Sequence, residues 1–245
     1  MTEKLFADPA GDAVEENLKR IREVMSEACA AAGRREEEVA LLAVTKTVEP
    51  ARINRAIALG VRQIGENRVQ EFLSKREFLH LDSPSGRIGM HLIGHLQTNK
   101  VRQIVGLADM IESVDSVRVA RAIDEASEKI SRVTDILIEV NIGGEESKTG
   151  IRPDELEPLL EEVSSLRCIR VRGLMTVPPI LHTESEKRRV FSEMRELFID
   201  IQGKNIDNIH MDVLSMGMSS DYREAILEGA TIIRVGSALF GKRTY

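Results

Sequence analysis

Short apolar runs alternate with amphipathic stretches along almost the whole chain. From Asp12 to Ala32, Val14, Leu18, Ile21, Val24, Met25 and Ala28 recur at three- and four-residue steps, which predicts a helix with Gly33 as its stop. VALLAVTK, 39–46, is a continuous apolar run bounded by charge, the pattern of a strand buried on both faces. Pro50 then opens a helix with Ile53, Ile57 and Ala58 on its inner face, and Gly60 closes it. The unit recurs. Further strands are predicted at 61–67, 87–94, 109–114, 134–141, 169–177, 211–217 and 231–241. Between them, helices are predicted through Val69, Phe72 and Leu73 and over 98–105, 115–130, 154–163 and 184–199. SSDYREAILEG supplies another, with Ser and Asp at its start.

Strands that alternate with helices argue for a parallel sheet. Eight such units in 245 residues favour an α/β fold of the closed (β/α)8 TIM-barrel type, with an extra N-terminal helix, over an open sheet. No linker rich in Pro, Gly and Ser divides the chain, so residues 1–245 are expected to form a single domain.

Composition narrows the function classes. Apolar residues make up 42% and charged residues 30%, the balance of a soluble globular protein. A formal charge of -6 disfavours nucleic acid as a general partner. Cys29 and Cys168 lie far apart, suit a reducing compartment and are too few for a cysteine-rich zinc or iron–sulfur site. The acidic first twenty residues have neither the apolar core of a signal peptide nor transit-peptide chemistry, and no run is long enough to span a bilayer. A cytoplasmic protein without a membrane partner is expected.

Lys46 closes the first strand at the face where barrel active sites are built. Desolvation there disfavours an ammonium, and a neutral amine can form a Schiff base with a carbonyl such as pyridoxal phosphate. The alternative is a lysine whose stem packs at the strand end while its head reaches water. LSMGMSSD, 214–221, and RVGSALFG, 234–241, follow the seventh and eighth strands, where barrels often bind phosphate; ordinary turn and cap chemistry is the alternative for each. Taken together, opposite a candidate amine, they favour a phosphorylated carbonyl cofactor. Arg234 lies inside an apolar strand and needs either a ligand or a core carboxylate such as Glu139 or Asp212, and Arg172 invites the same question. His91 and His95 flank the third strand without an HExxH pattern, so hydrogen bonding or loop bracing is favoured over metal binding. The 143–150 loop lacks the GxxxxGK[ST] arrangement and reads as a solvated rim, while Met211, Met216 and Met218 read as core and pocket lining.

LLAVTKT, IGENRVQE, HLIGHLQTNK, IESVD, GLMTV, LSMGMSSDYREAI and IIRVGSALFGKRTY together resemble, in order and at family spacing, the pyridoxal phosphate homeostasis protein family, formerly described as proline synthetase co-transcribed homologues. The resemblance runs from about residue 14 to the end. It implies a barrel similar to the N-terminal barrel of alanine racemase, the type III fold of pyridoxal phosphate (PLP) proteins. Lys46 would carry pyridoxal 5'-phosphate as a Schiff base. Asn67 would line the cofactor face, and Ser215, Met216, Gly217, Met218 and Ser219 would hold phosphate and ring with Arg234, Gly236 and Ser237. Arg234 would approach the pyridine nitrogen, keep it unprotonated and weaken the ring as an electron sink. Thr45 stands where serine is common, and Met90 where an aromatic often precedes His91.

Membership implies buffering or delivery of the cofactor in vitamin B6 homeostasis, with no defined catalytic reaction. Alanine racemases take a second acid/base tyrosine from a C-terminal β-domain; here the sequence ends at Tyr245, and Tyr222 is its only other tyrosine. Absence of that β-domain leaves a monomer as the expectation. Amino acids or PLP-dependent apoenzymes would be the acceptors. The alternatives are a slow amino-acid racemase, a metal-dependent barrel hydrolase using His91 and His95, and a scaffold acting through protein contacts.

Overall fold

The structure, a computed structural model, describes residues 9–83, 86–145 and 148–241. Eight parallel strands close into a barrel: β1 (Ala40–Val44), β2 (Gln63–Glu66), β3 (Gly89–Leu92), β4 (Met110–Val114), β5 (Thr134–Glu139), β6 (Ile169–Met175), β7 (Ile209–Ser215) and β8 (Ile232–Val235). Each strand pairs with its sequence neighbours, and β1 closes the ring on β8 with Leu42 opposite Arg234. The eight predicted strands and the extra helix are therefore present.

The ends differ from expectation for identifiable reasons. The 231–241 run is strand only to Val235; Gly236 turns the chain, and Ser237–Phe240 forms the short helix α9. β7 begins at Ile209 and stops at Ser215, because Gly217 at φ 90° carries the chain out of the sheet. Helix α7 (Glu184–Lys204) outruns its predicted end at 199. Ile201 is still buried in it, and Asn205 caps it in the left-handed conformation. Its start carries a reciprocal capping box between Thr183 and Glu186. A two-stranded antiparallel pair, Asp82–Ser83 with Gly86–Arg87, precedes β3.

Strand alternation sorts the side chains into two cores. Outward residues such as Ala43, Ile64, Met90, Ile111, Ile138, Leu174, Leu214 and Ile233 pack under the helices. The N-terminal helix α1 (Pro9–Ala31) buries Val14, Leu18, Ile21, Met25 and Ala28 and lies on α2 (Pro50–Ala58), α8 (Tyr222–Leu227) and α9. Inside the barrel a small apolar group, Met110, Leu137 and Met175 with Val213, is separate from this core. Buried polar side chains from β3, β4, β7 and β8 share that interior. Among the described residues no helix is long and apolar enough to cross a membrane.

Candidate functional site

The C-terminal ends of the strands surround a cavity of about 580 Å3. Of the residues expected there, Lys46, Asn67, Met218, Ser219, Arg234, Gly236 and Ser237 line it. Val44, Ile93, Val177, Ser220 and Ala238, which the sequence reading did not single out, complete the wall. Val44 ends β1 and Ile93 follows β3, and both fall within the strand runs predicted at 39–46 and 87–94.

β1 delivers Lys46. Thr45 extends the strand, with its N–H on Gly65 C=O at 2.9 Å, and its hydroxyl donates to Glu66 Oε1 at 2.7 Å. Val48 N–H then closes a tight turn on Thr45 C=O at 2.9 Å, with half-buried Lys46 in its second position. Asn67 follows β2, and Gly94 packs on its backbone. A Cβ at 94 would stand 2.3 Å from Asn67 O, so only glycine fits. Asn67 Oδ1 is buried and has no hydrogen-bond partner.

The loops after β7 and β8 form one surface. Ser219 Oγ accepts from the N–H groups of Gly236 and Ala238 at 3.2 Å each. Arg234 N–H bonds Gly217 C=O at 2.9 Å, and Met218 N–H bonds Asp221 Oδ1 at 2.6 Å. Ser215, Met216 and Gly217 do not line the cavity. Ser215 and Met216 are wholly buried, and Gly217 packs against Tyr222 and Ala225 of α8. The SMGMS stretch leaves the barrel here, so only its last two residues reach the cavity wall.

Ser215 acts inside the barrel instead. Arg234, 3% exposed, donates Nη1 to Ser215 Oγ at 2.7 Å and Nη2 to Thr176 C=O at 2.6 Å. Ser215 Oγ donates to Glu112 Oε2 at 2.6 Å, and Glu112 Oε1 meets His91 Nδ1 at 2.6 Å. Burial opposes the charge on Glu112, yet the hydrogen bond and charge of His91, with Arg234 and Ser215, hold its carboxyl below the usual range. Burial pulls Arg234 downward against the attraction of Glu112, Glu139 and Asp221. A guanidinium keeps its proton in proteins, and the lowered Glu112 carboxyl favours its charged form beside it. Glu112 is therefore the carboxylate bonded through Ser215 to Arg234. Asp212 lies on the outer face, where it pairs with Arg172 at 3.0 Å and Arg172 also binds Asp135. Glu112 was missed, although a lone carboxylate within the apolar MIESV strand is the same signal that marked Arg234.

The two histidines separate. His91 is inside the barrel on Glu112, whereas half-exposed His95 faces Asp115 at 3.3 Å. Among the described residues no three His, Cys, Asp or Glu side chains are grouped to hold a metal ion. Glu146 and Ser147 of the 143–150 loop, and Tyr245, lie outside the described residues. Chemically, the cavity offers a lysine from the turn after β1, serine hydroxyls from the loops after β7 and β8, apolar side chains and a buried cation from β8.

The family described as alanine racemase, N-terminal domain, matches residues 10–244. The pyridoxal phosphate homeostasis protein of Aquifex aeolicus (strain VF5) is 44% identical over 231 residues, covering 94% of this chain and 98% of that protein. Among solved structures, that of an unknown protein from Bifidobacterium adolescentis shares 36% identity at a TM-score of 0.89, over 97% of this chain and 98% of its own. PipY of Synechococcus elongatus PCC7942, solved with PLP bound, shares 34% identity at a TM-score of 0.80, over 93% of this chain and 100% of its own.

Proposed function

Because the chain belongs to the pyridoxal phosphate homeostasis protein family, we propose that it binds pyridoxal 5'-phosphate at Lys46 and holds or hands on the cofactor, without a catalytic reaction of its own. The observation that carries this reading is the single cavity that brings Lys46 from β1 together with Ser219, Ser220, Gly236 and Ser237 from the loops after β7 and β8. An amine suits an aldehyde, and hydroxyl groups suit a phosphate. The cavity volume lies within the ~300–1,000 Å3 usual for small-molecule sites. Asn67 Oδ1, a buried acceptor without a partner, is open to a donor on a ligand.

When bound, the cofactor supplies an electrophilic aldehyde that condenses reversibly with amines. The rest is the work of this chain. Lys46 lines the cavity, and Ser219, Ser220 and Ser237 would hold the phosphate. Val44, Ile93, Val177 and Met218 would supply the apolar contacts to the ring. Arg234 can only donate, so beside a ring nitrogen it would favour the unprotonated form and limit electron withdrawal, which suits storage better than chemistry at an amino-acid Cα. The name of the Aquifex relative denotes homeostasis, and PipY has been solved with PLP bound. Free amino acids and the lysines of apoenzymes are the expected acceptors.

Absorbance spectra of wild type and Lys46→Ala, each given pyridoxal phosphate and then borohydride, test the reading. A visible band fixed by reduction onto wild type alone is expected. Two colourless, unmodified proteins would refute it.

A further inference from the structure

The turn that carries Lys46 is held open to strain. Its third residue, Thr47, has φ 62°, a left-handed conformation that glycine adopts freely and a β-branched residue rarely does. Two side chains one helical turn apart on α3 (Val69–Arg76) grip this turn on either side of Lys46. Glu71 Oε2 accepts the Thr47 N–H at 2.8 Å, and Lys75 Nζ donates to the Thr45 C=O at 2.8 Å. The same ammonium reaches Glu71 Oε2 and Glu66 Oε1, each at 2.8 Å. Lys75 is 12% exposed and Glu66 1%, so this ion pair is not an ordinary surface bridge. Burial works against the Glu71 charge, but Lys75 and the Thr47 N–H hold its carboxyl below the usual range.

We infer that Glu71 and Lys75 are positioning residues for Lys46: by bonding the C=O before it and the N–H after it, they keep a strained turn in the form that sets its amine in the cavity wall. Without them Thr47 relaxes out of the left-handed region, the turn opens, and Lys46 leaves its place. The inference rests on Lys46 as the lysine that takes the cofactor. Neither residue lines the cavity, so a clamp and a ligand contact make different predictions.

The test compares wild type, Glu71→Ala, Glu71→Gln, Lys75→Met and Glu71→Ala/Thr47→Gly. In Glu71→Ala the rate at which borohydride-fixed pyridoxal phosphate appears on Lys46 should fall about tenfold. Binding of pyridoxine phosphate, which carries an alcohol in place of the aldehyde, should change by less than about twofold. Glu71→Gln keeps an acceptor for Thr47 and should stay close to wild type. Thr47→Gly removes the strain, so it should restore the Glu71→Ala rate to within about twofold. Lys75→Met should lose the rate as Glu71→Ala does. An unchanged rate in Glu71→Ala, a Thr47→Gly exchange that restores nothing, or loss of pyridoxine phosphate binding in parallel with the adduct would overturn the assignment. Hydrogen exchange at the Thr47 and Val48 amides, measured without cofactor, keeps the two questions apart. If wild type forms no adduct, the cofactor reading falls, and the clamp stands only if Glu71→Ala speeds this exchange about tenfold.

Discussion

Glu112→Gln removes one charge from the barrel interior while keeping the side chain's shape, and the structure sets what that should cost. Arg234 reaches Glu112 through Ser215 by hydrogen bonds of 2.7 and 2.6 Å. The two charges therefore lie within about 5.3 Å, and an effective dielectric of about 20 gives about 3 kcal/mol of attraction. Removing one partner of a buried pair costs a similar ~3–5 kcal/mol, because the other ion is left uncompensated. For a chain of this length about 3 kcal/mol lowers the melting temperature by roughly 6–12 °C. Urea unfolding of wild type, Glu112→Gln, Arg234→Gln and the double variant should return a coupling of about 3 kcal/mol. The pH dependence has a definite sign. The Glu112 carboxyl is depressed in the folded protein, so its contribution is present above the unfolded value of about 4.3 and fades as pH falls through the lower folded value. The gap between wild type and Glu112→Gln should narrow in that acid range. A coupling under about 0.5 kcal/mol, or a gap that stays constant down to about pH 3, would refute the reasoning.

Three further substitutions read other parts of the structure. Burial raises the Glu139 carboxyl against the opposing hydrogen bond from Thr149, and Oε2 has no partner. The native state thus binds that proton more tightly than the unfolded chain, and its stability declines as pH rises from about 4.3 through the folded value. Glu139→Gln should therefore be more stable than wild type at neutral pH and no different from it below pH ~4, as urea midpoints across pH will show. At Gly94 an added Cβ would meet the Asn67 backbone at 2.3–2.9 Å. Gly94→Ala should cost about 1–3 kcal/mol and weaken pyridoxal phosphate binding, read by unfolding and by titration of the visible band. Gly203 in α7 has nothing within 4 Å of an added Cβ, so Gly203→Ala should instead gain up to about 1 kcal/mol.

Local pattern carried the sequence reading a long way. Short apolar stretches marked the strands even where Arg170 of β6 and His210 and Asp212 of β7 stay exposed, and Pro50 and Gly60 mark helix ends through backbone chemistry that needs no tertiary partner. Besides the end of α7, the misjudged ends are those where one run serves two elements. TIIRVGSALFG is mostly apolar along its length, but its first half lies in the sheet and its second packs as α9. In SMGMS, Ser215 and Met216 share their composition with the Met218 and Ser219 that reach the cavity, and only the path of the chain separates them.

The chain's order of strands and helices, the lysine at the end of β1 and the small-residue loops after β7 and β8 are all written in the sequence, since each depends on spacing along one element. Partnership across the barrel is not. Glu112 meets Ser215 at a separation of 103 residues, and Lys75 holds Thr45 at a separation of 30. These pairs exist because closing β1 on β8 fixes which inward side chains share a level, and because α3 crosses beside the end of β1. Residue type could mark Arg234 as a buried charge in need of a partner. Only the closed barrel, with burial making an unpaired ion costly, chose Glu112 over Asp212.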